Sequence, residues 1–306
     1  MAIPCPTMIP PWCELIKERT GGRVTITEYH GGTLGALSDH YQMVLDRLAD
    51  IVVSGGTEGI HVQSIVSALP FMYDSAEMAG VVHHQLALKY LANTELKDVK
   101  ILFFIPSAPD RICSNIRLIK TMADLKGQKI ATGQDIGLQT VKAIGATPTF
   151  LPPTEIYTAL ERGLIDGECA NWEKYLVFGD LEVTKYHTSV ALWVNVMPVY
   201  MNWEAFNSLP PDIQQIFDET TGVAKTRSCG KIFDDNDLES RAIVQEFLDG
   251  IGSPPIYDLP ADETARWAEA ALVVHDDWVK DLEGKGLGDQ ARALLADAKA
   301  LAKEFK

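Results

Sequence analysis

Apolar and polar positions along this chain follow two rhythms that alternate with each other. Residues 23–29, Arg23-Val24-Thr25-Ile26-Thr27-Glu28-Tyr29, change sign at nearly every step and predict a half-buried strand. Helical spacing precedes it over 11–19, stopped by Thr20-Gly21-Gly22, where glycine serves as the C-terminal cap. A helix over 38–47 then leads into a strand over 49–53 and the turn Gly55-Gly56, which completes one βαβ-like unit. Helical patterning covers 75–91, and the apolar run 99–105 reads as a strand buried on both faces.

The second stretch repeats this vocabulary. Strands are predicted at 129–131, 147–151, 165–170 and 190–201, with helices over 137–144 and 154–162, Thr154 being placed to cap the latter. From Leu209-Pro210-Pro211-Asp212 onward the pattern is helical with breaks through 248, and again over 261–282 and 289–305. Strands alternating with helices indicate an α/β architecture.

Composition narrows the function classes. Length 306 suggests about two domains. Lys+Arg 27 against Asp+Glu 42 gives a net charge of −15, the wrong sign for a nucleic-acid partner. No window is apolar enough to span a bilayer, and Cys5, Cys13, Cys113, Cys169 and Cys229 are scattered without a C-x-x-C, so they read as small core residues. The opening MAIPCPTMIPPW shows no legible secretory leader, which by itself points to the cytoplasm. Phosphate-binding, zinc-protease, nucleophile-elbow and calcium-loop motifs are absent. The neighbours His83 and His84 point to different helix faces and are assigned to packing or surface. His275-Asp276-Asp277 reads as a solvated acidic face.

A string of short motifs in one order carries more information than any of them alone. Glu18-Arg19-Thr20-Gly21-Gly22-Arg23-Val24 is followed by Gly31-Gly32-Thr33-Leu34-Gly35, Ala49-Asp50-Ile51 and Leu69-Pro70-Phe71. Then come Asp124-Leu125-Lys126-Gly127-Gln128-Lys129-Ile130, Gly145-Ala146-Thr147-Pro148, and Glu155 to Gly163 running into Asp166-Gly167. Over nearly its whole length the chain resembles the solute-binding proteins of tripartite ATP-independent periplasmic (TRAP) transporters. The resemblance implies a two-lobed α/β periplasmic binding protein with hinge strands and long C-terminal helices spanning both lobes. Lobe one would take residues 1–107 and 197–236, lobe two 108–196 and 237–264, and residues 265–306 would pack across both. It further implies a monomer in the periplasm that is not an enzyme, needs no cofactor or metal, and delivers a small organic acid to a small and a large membrane subunit.

Within that resemblance the departures are informative. Relatives hold a carboxylate with an arginine in the strand after the D-L-K-G turn, because a guanidinium makes two parallel charge-assisted hydrogen bonds. Here that strand reads Lys129-Ile130-Ala131, so Ala131 stands in the arginine's place. Arg111 matches a second ligand-contacting arginine and becomes the expected anchor, whereas Arg117 lies on the approach to the turn. After Asp166-Gly167, Ala170 replaces a polar asparagine in Glu168-Cys169-Ala170-Asn171-Trp172. Trp172 and Trp193 offer flat apolar area for an aromatic solute or core packing, Phe71 can line the lobe-one wall, and Tyr157 reads as structural. Gly55 and Gly56 end a strand where a solute can approach the backbone.

With Ala131, a neutral or cationic solute is the alternative, partnered by Glu168 or the tryptophans. An enzyme on this scaffold using His187 or Cys169, or a ligand sensor, are the competing classes. A last departure is at the start: relatives open with a strand resembling L-K-F-G-H, and the residues ahead of Pro10-Pro11-Trp12 leave no room for it, as if the start had been shortened. The expected consequence is an unpaired edge in the sheet of lobe one.

Overall fold

The computed structural model describes residues 5–55 and 63–305, with side chains from Met8 onward; Gly56 lies outside the described residues. Among the described residues nine strands form two sheets: β1 (Ile51–Val53), β2 (Val99–Pro106), β3 (Arg111–Ser114), β4 (Lys129–Thr132), β5 (Thr147–Phe150), β6 (Gly167–Ala170), β7 (Tyr186–Ser189), β8 (Val196–Asn202) and β9 (Tyr257–Asp258). The first sheet has order β1-β8-β2, with β8 antiparallel to both neighbours. In the second the order is β5-β4-β6-β3-β7-β9, parallel for β5-β4-β6 and antiparallel where β3 meets β6 and β7. This is the two-lobed α/β arrangement expected from the chain's motifs.

Each sheet organises its own core. Leu102, Phe103, Ile105 and Val199 of the first pack against Met8, Trp12 and Ile16 of the Cys5–Arg19 helix. The Trp12 ring meets Phe103 and Phe217 edge-on at 5.3 and 6.0 Å, the arrangement that ring quadrupoles favour. On one face of the second sheet, Ile112, Ile130 and Cys169 pack with Trp193 and with Trp267, Val274 and Leu294 of the C-terminal helices. The opposite face carries Cys113 and Ala170 against Trp172, Tyr175, Val244 and Leu248.

Long helices tie the lobes together. The Gly222–Gly250 helix packs on the Ala76–Leu86 helix and β2 in its first half and on the Trp172–Val177 helix in its second. Gly230 makes the first contact possible, since a Cβ there would fall 2.4 Å from the Glu77 backbone. The Ala261–Gly284 helix rests on the Asp135–Ala143 helix of the second lobe, while its neighbour Gly288–Glu304 reaches Ala76–Leu86 of the first.

Several sequence expectations change on folding. Residues 23–29 keep their alternation, with Val24, Ile26 and Glu28 half-buried between exposed neighbours, but they form no ladder. Across from them, β1 bonds only to β8, and the space between is a groove of about 690 Å³. Val24, Ile26, Trp12, Met197 and Val199 line it, and the buried Trp12 Nε1 and Glu28 Oε2 have no hydrogen-bond partner. Thr154 does not cap its helix; Pro152 and Pro153 start it, because proline at the first position lacks an N–H that would be left over anyway. Of the expected strand at 190–201, only the part from Val196 enters a sheet. His83 and His84 are both buried against Phe104, as packing residues. His275 is buried too, while Asp276 and Asp277 beside it are exposed, so that segment is not one solvated face. Cys13, Cys113 and Cys169 are free and buried, and Cys229 is buried as well.

Candidate functional site

Two extended segments cross between the lobes, 106–111 and 190–196, and they pair although neither is a regular strand there. The Asp110 N–H donates to the Trp193 carbonyl at 2.8 Å, and the Leu192 N–H donates to the Asp110 carbonyl at 2.9 Å. Ser107 N–H donates to the Asn195 carbonyl at 2.7 Å, and Asn195 N–H returns to the Ser107 hydroxyl at 3.1 Å. Phe71 joins them from the first lobe, its N–H donating to the Leu192 carbonyl at 2.8 Å. That bond accompanies an unusual left-handed backbone at Phe71, φ 56°.

Directly beyond this hinge, four of the residues singled out from the sequence share one face of the second sheet. Ala131 stands opposite Glu168, Ala170 opposite Arg111, and Glu168 and Ala170 are two residues apart on one strand. Arg111 emerges from the edge of this face. Its Nη1 donates to the Pro109 carbonyl at 2.8 Å and to Asp237 Oδ1 at 3.1 Å, and its Nη2 donates to Asp237 Oδ2 at 2.6 Å. The guanidinium lies 5.0 Å from the Trp172 ring centroid. The pair is nearly dry, with side chains 12% and 9% exposed, and burial raises the Asp237 pKa against the pull of Arg111.

A second charged group sits on the same face. Lys174 Nζ bonds to Glu168 and lies 3.6 Å from Asp180, and both carboxylates are fully buried. Burial pushes Glu168 up to about 8, outweighing Lys174, and raises Asp180 as well. Burial also lowers Lys174, but the Glu168 charge more than reverses it. Between the two clusters, Asp110 is driven up to about 6 by burial, against Lys174 and Arg111. Glu173, 7% exposed, rises to about 7 through burial and then the neighbouring Asp237 charge.

The surroundings of the other sequence candidates differ. Ala131 is fully buried and packs with Ile156, Ala159, Leu160 and Ile165, so the place of the arginine is filled by apolar contact. Trp172 is fully buried beside Tyr175 and His187, its indole N–H without a partner, and Trp193 is 1% exposed. The Trp193 ring runs over Gly137, where a Cβ would come within 2.9 Å of it. Gly55 lies beneath Leu37, whose Cδ2 would be 2.8 Å from an added Cβ. Phe71 is half-buried at the mouth of a different cavity, and Arg117 is exposed.

Asp237, Lys174, Glu173 and Asp110 were not among the sequence candidates. Only Lys174, two residues past Trp172, had a sequence signal, as the nearest cation to the Glu168 strand. Asp237 is 126 residues from Arg111, and no local pattern connects them. His187 and Cys169, the alternative reactive groups of the enzyme reading, are not activated. Burial lowers His187 to about 4 and holds the Cys169 thiol far above its ordinary value, so neither a thiolate nor an imidazolium is favoured.

Comparison with known proteins agrees with this architecture. The profile of bacterial extracellular solute-binding protein family 7 matches residues 7–281. A TRAP solute-binding protein from Rhodoferax ferrireducens T118, solved with copurified benzoate, superposes with a TM-score of 0.85 at 28% identity, covering 97% of this chain and 92% of that one. A marine metagenome TRAP solute-binding protein specific for aromatic acid ligands, solved with 3-hydroxybenzoate, gives 0.84 at 27% identity over 98% and 93%. The 2,3-diketo-L-gulonate-binding periplasmic protein YiaO of Escherichia coli (strain K12) is 26% identical over 206 residues, 66% of this chain and 63% of that protein. The match thus spans under two thirds of that relative's length. On the family profile and these folds together, the chain belongs to the family 7 extracellular solute-binding proteins of TRAP transporters, a periplasmic binding-protein family.

Proposed function

We propose that this protein captures a small organic acid with an aromatic ring in the cleft beside its hinge and hands it to the membrane subunits of a TRAP transporter. The observation that carries this reading is the Arg111 fork. It lies over the Trp172 ring and already holds one carboxylate, that of Asp237, through two parallel hydrogen bonds. In this reading a solute carboxylate takes the place of Asp237 and its ring lies against Trp172, while Trp193 backs the hinge from the other face of the sheet. Ala131 and Ala170 add no polar group of their own beside Arg111, and Glu168 on the same face is already engaged by Lys174. Gly55 belongs to the opposing wall, and the lobes divide near 107/108, 196/197 and 236/237. The benzoate and 3-hydroxybenzoate bound by the solved relatives support the solute class. Capture closes the lobes because the solute touches both.

Thermal shift and calorimetry with benzoate and 3-hydroxybenzoate test this. Benzoate at about 100 times its Kd should stabilise the protein by about 2.7 kcal/mol. Asp237→Asn should bind at least as tightly as the unaltered chain, since it removes the competing carboxylate. Adding Arg111→Ala to it should cost about 2–5 kcal/mol of binding. Equal affinity in the single and double variants would defeat the assignment.

A second reading, a cationic solute, is favoured by the charge count around Arg111. Asp110, Glu168, Glu173, Asp180 and Asp237 are five carboxyl groups set against Arg111, Lys174 and the more distant Arg241. Choline binding that survives in the double variant would establish it instead.

A further inference from the structure

Outside the hinge, a cavity of about 330 Å³ lies between residues 70–78 and the two C-terminal helices, Ala261–Gly284 and Gly288–Glu304. Its walls are apolar: Phe71, Met72 and Met78 on one side, Leu272 and Ala302 on the other. Three nitrogen-bearing side chains, His275, Lys299 and Lys303, line it together with a single carboxylate, Asp74. Neither lysine makes an ion pair among the described residues, although both belong to an acidic chain. The two ammonium groups leave the cavity with an excess of positive charge.

His275 adds a directional element. It is 5% exposed, and its Nε2 lies 2.9 Å from the Pro70 carbonyl. A carbonyl can only accept, so Nε2 carries the proton, and Nδ1 is left without a partner. The wall opposite is preformed, because Phe71 is held at positive φ by its bond to Leu192.

We propose that this cavity is a second ligand site, separate from the hinge cleft, that takes a small amphipathic carboxylate. The carboxylate meets Lys299 and Lys303 and, once His275 gains a proton, the Nδ1–H. The tail lies along Phe71, Met78 and Leu272. The volume is within the range of small-molecule pockets. Burial keeps His275 below its ordinary pKa, helped by Lys299; the Pro70 bond and Asp276 on its own helix oppose that, and Asp74 faces the same space. An anion seated there reverses the balance, so binding takes up a proton and tightens toward acid.

Octanoate titrated calorimetrically into the full chain is the test, with Lys299→Glu/Lys303→Glu and Arg111→Ala/Asp237→Asn variants beside it. One site is expected, retained in the hinge variant and weakened at least about tenfold in the lysine variant. It should also bind more tightly at about pH 6 than at about pH 8, with proton uptake. Leu272→Trp, which fills the cavity without changing charge, should abolish the same heat. Absence of binding, loss only in the hinge variant, or indifference to both cavity variants would overturn the site. Equal affinity at the two pH values would remove His275 from it. Because the hinge variant is scored separately, failure here leaves the hinge reading untouched, and the converse.

Discussion

The two sheets are written in the same alternating vocabulary, yet they end differently. The second, with six strands, is covered on one face by the C-terminal helices and on the other by the Trp172–Val177 and Gly222–Gly250 helices. The first has three strands, and its β1 edge opens onto the groove beside residues 23–29. Both contain stretches with strand periodicity, and only those that find a partner become strands. Pairing is a tertiary event, because every ladder hydrogen bond of a strand is made to another part of the chain. The unpaired edge, with Trp12 Nε1 and Glu28 Oε2 unsatisfied beside it, is where lobe one is weakest.

The largest expected break in this comparison comes from the two tryptophans. Trp267→Ala, fully buried behind the second sheet and donating to Glu263 at 3.0 Å, should cost about 3–5 kcal/mol in chemical denaturation. Trp12→Ala should fall below that, because the ring already borders an open groove. Equal losses would mean that the groove does not weaken its wall.

Acid should separate the lobes next. Burial lowers His83 to about 3 and His84 to about 4, below the unfolded value near 6.5. Such groups contribute stability that is present above the unfolded pKa and is lost as pH falls below it, at about 1.4 kcal/mol per unit per histidine. At pH 5 the pair should therefore have lost about 4 kcal/mol. Lobe two carries His187, with the same sign, but also Asp110, Glu168 and Glu173, raised to about 6, 8 and 7. Raised carboxylates act oppositely: their contribution is full below the unfolded pKa and fades as pH climbs through the folded one, so acidification returns it. Hydrogen exchange at pH 5 compared with pH 7 should show β2 and the Ala76–Leu86 helix loosening before β3 and β6. Simultaneous loosening would count against the offset.

The smallest effect is the sharpest discriminator. Ile112→Pro interrupts a strand paired on both sides and should cost about 3 kcal/mol or more. Thr25→Pro should cost under about 1 kcal/mol, since Thr25 has no ladder partner. A Thr25 variant as damaging as the Ile112 variant would show that residues 23–29 are paired in solution.

Legibility followed range. Helix and strand vocabulary, the glycine stops and the family motifs are local, and they carried the α/β class and the expectation of two lobes. Arg111 was legible as a candidate because it falls where relatives carry a second ligand-contacting arginine. Its partner was not, because an ion pair between β3 and the middle of a 29-residue helix leaves no mark in either segment alone. Thr154 misled for a smaller reason: proline at the first helical position removes the N–H that a cap would have satisfied.

By itself, the sequence determined the periodicities, the absence of common catalytic motifs, the −15 charge and the Ala131 substitution. Only the tertiary structure decided that Asp237 holds Arg111, that Lys174 lies between Glu168 and Asp180, and that residues 23–29 remain single. It also placed His275 in a cavity instead of on a wet helix face. The division has one physical cause. Backbone preference and amphipathic period act within a few residues, whereas desolvation, charge pairing and strand closure depend on which distant groups the fold brings within a few ångströms.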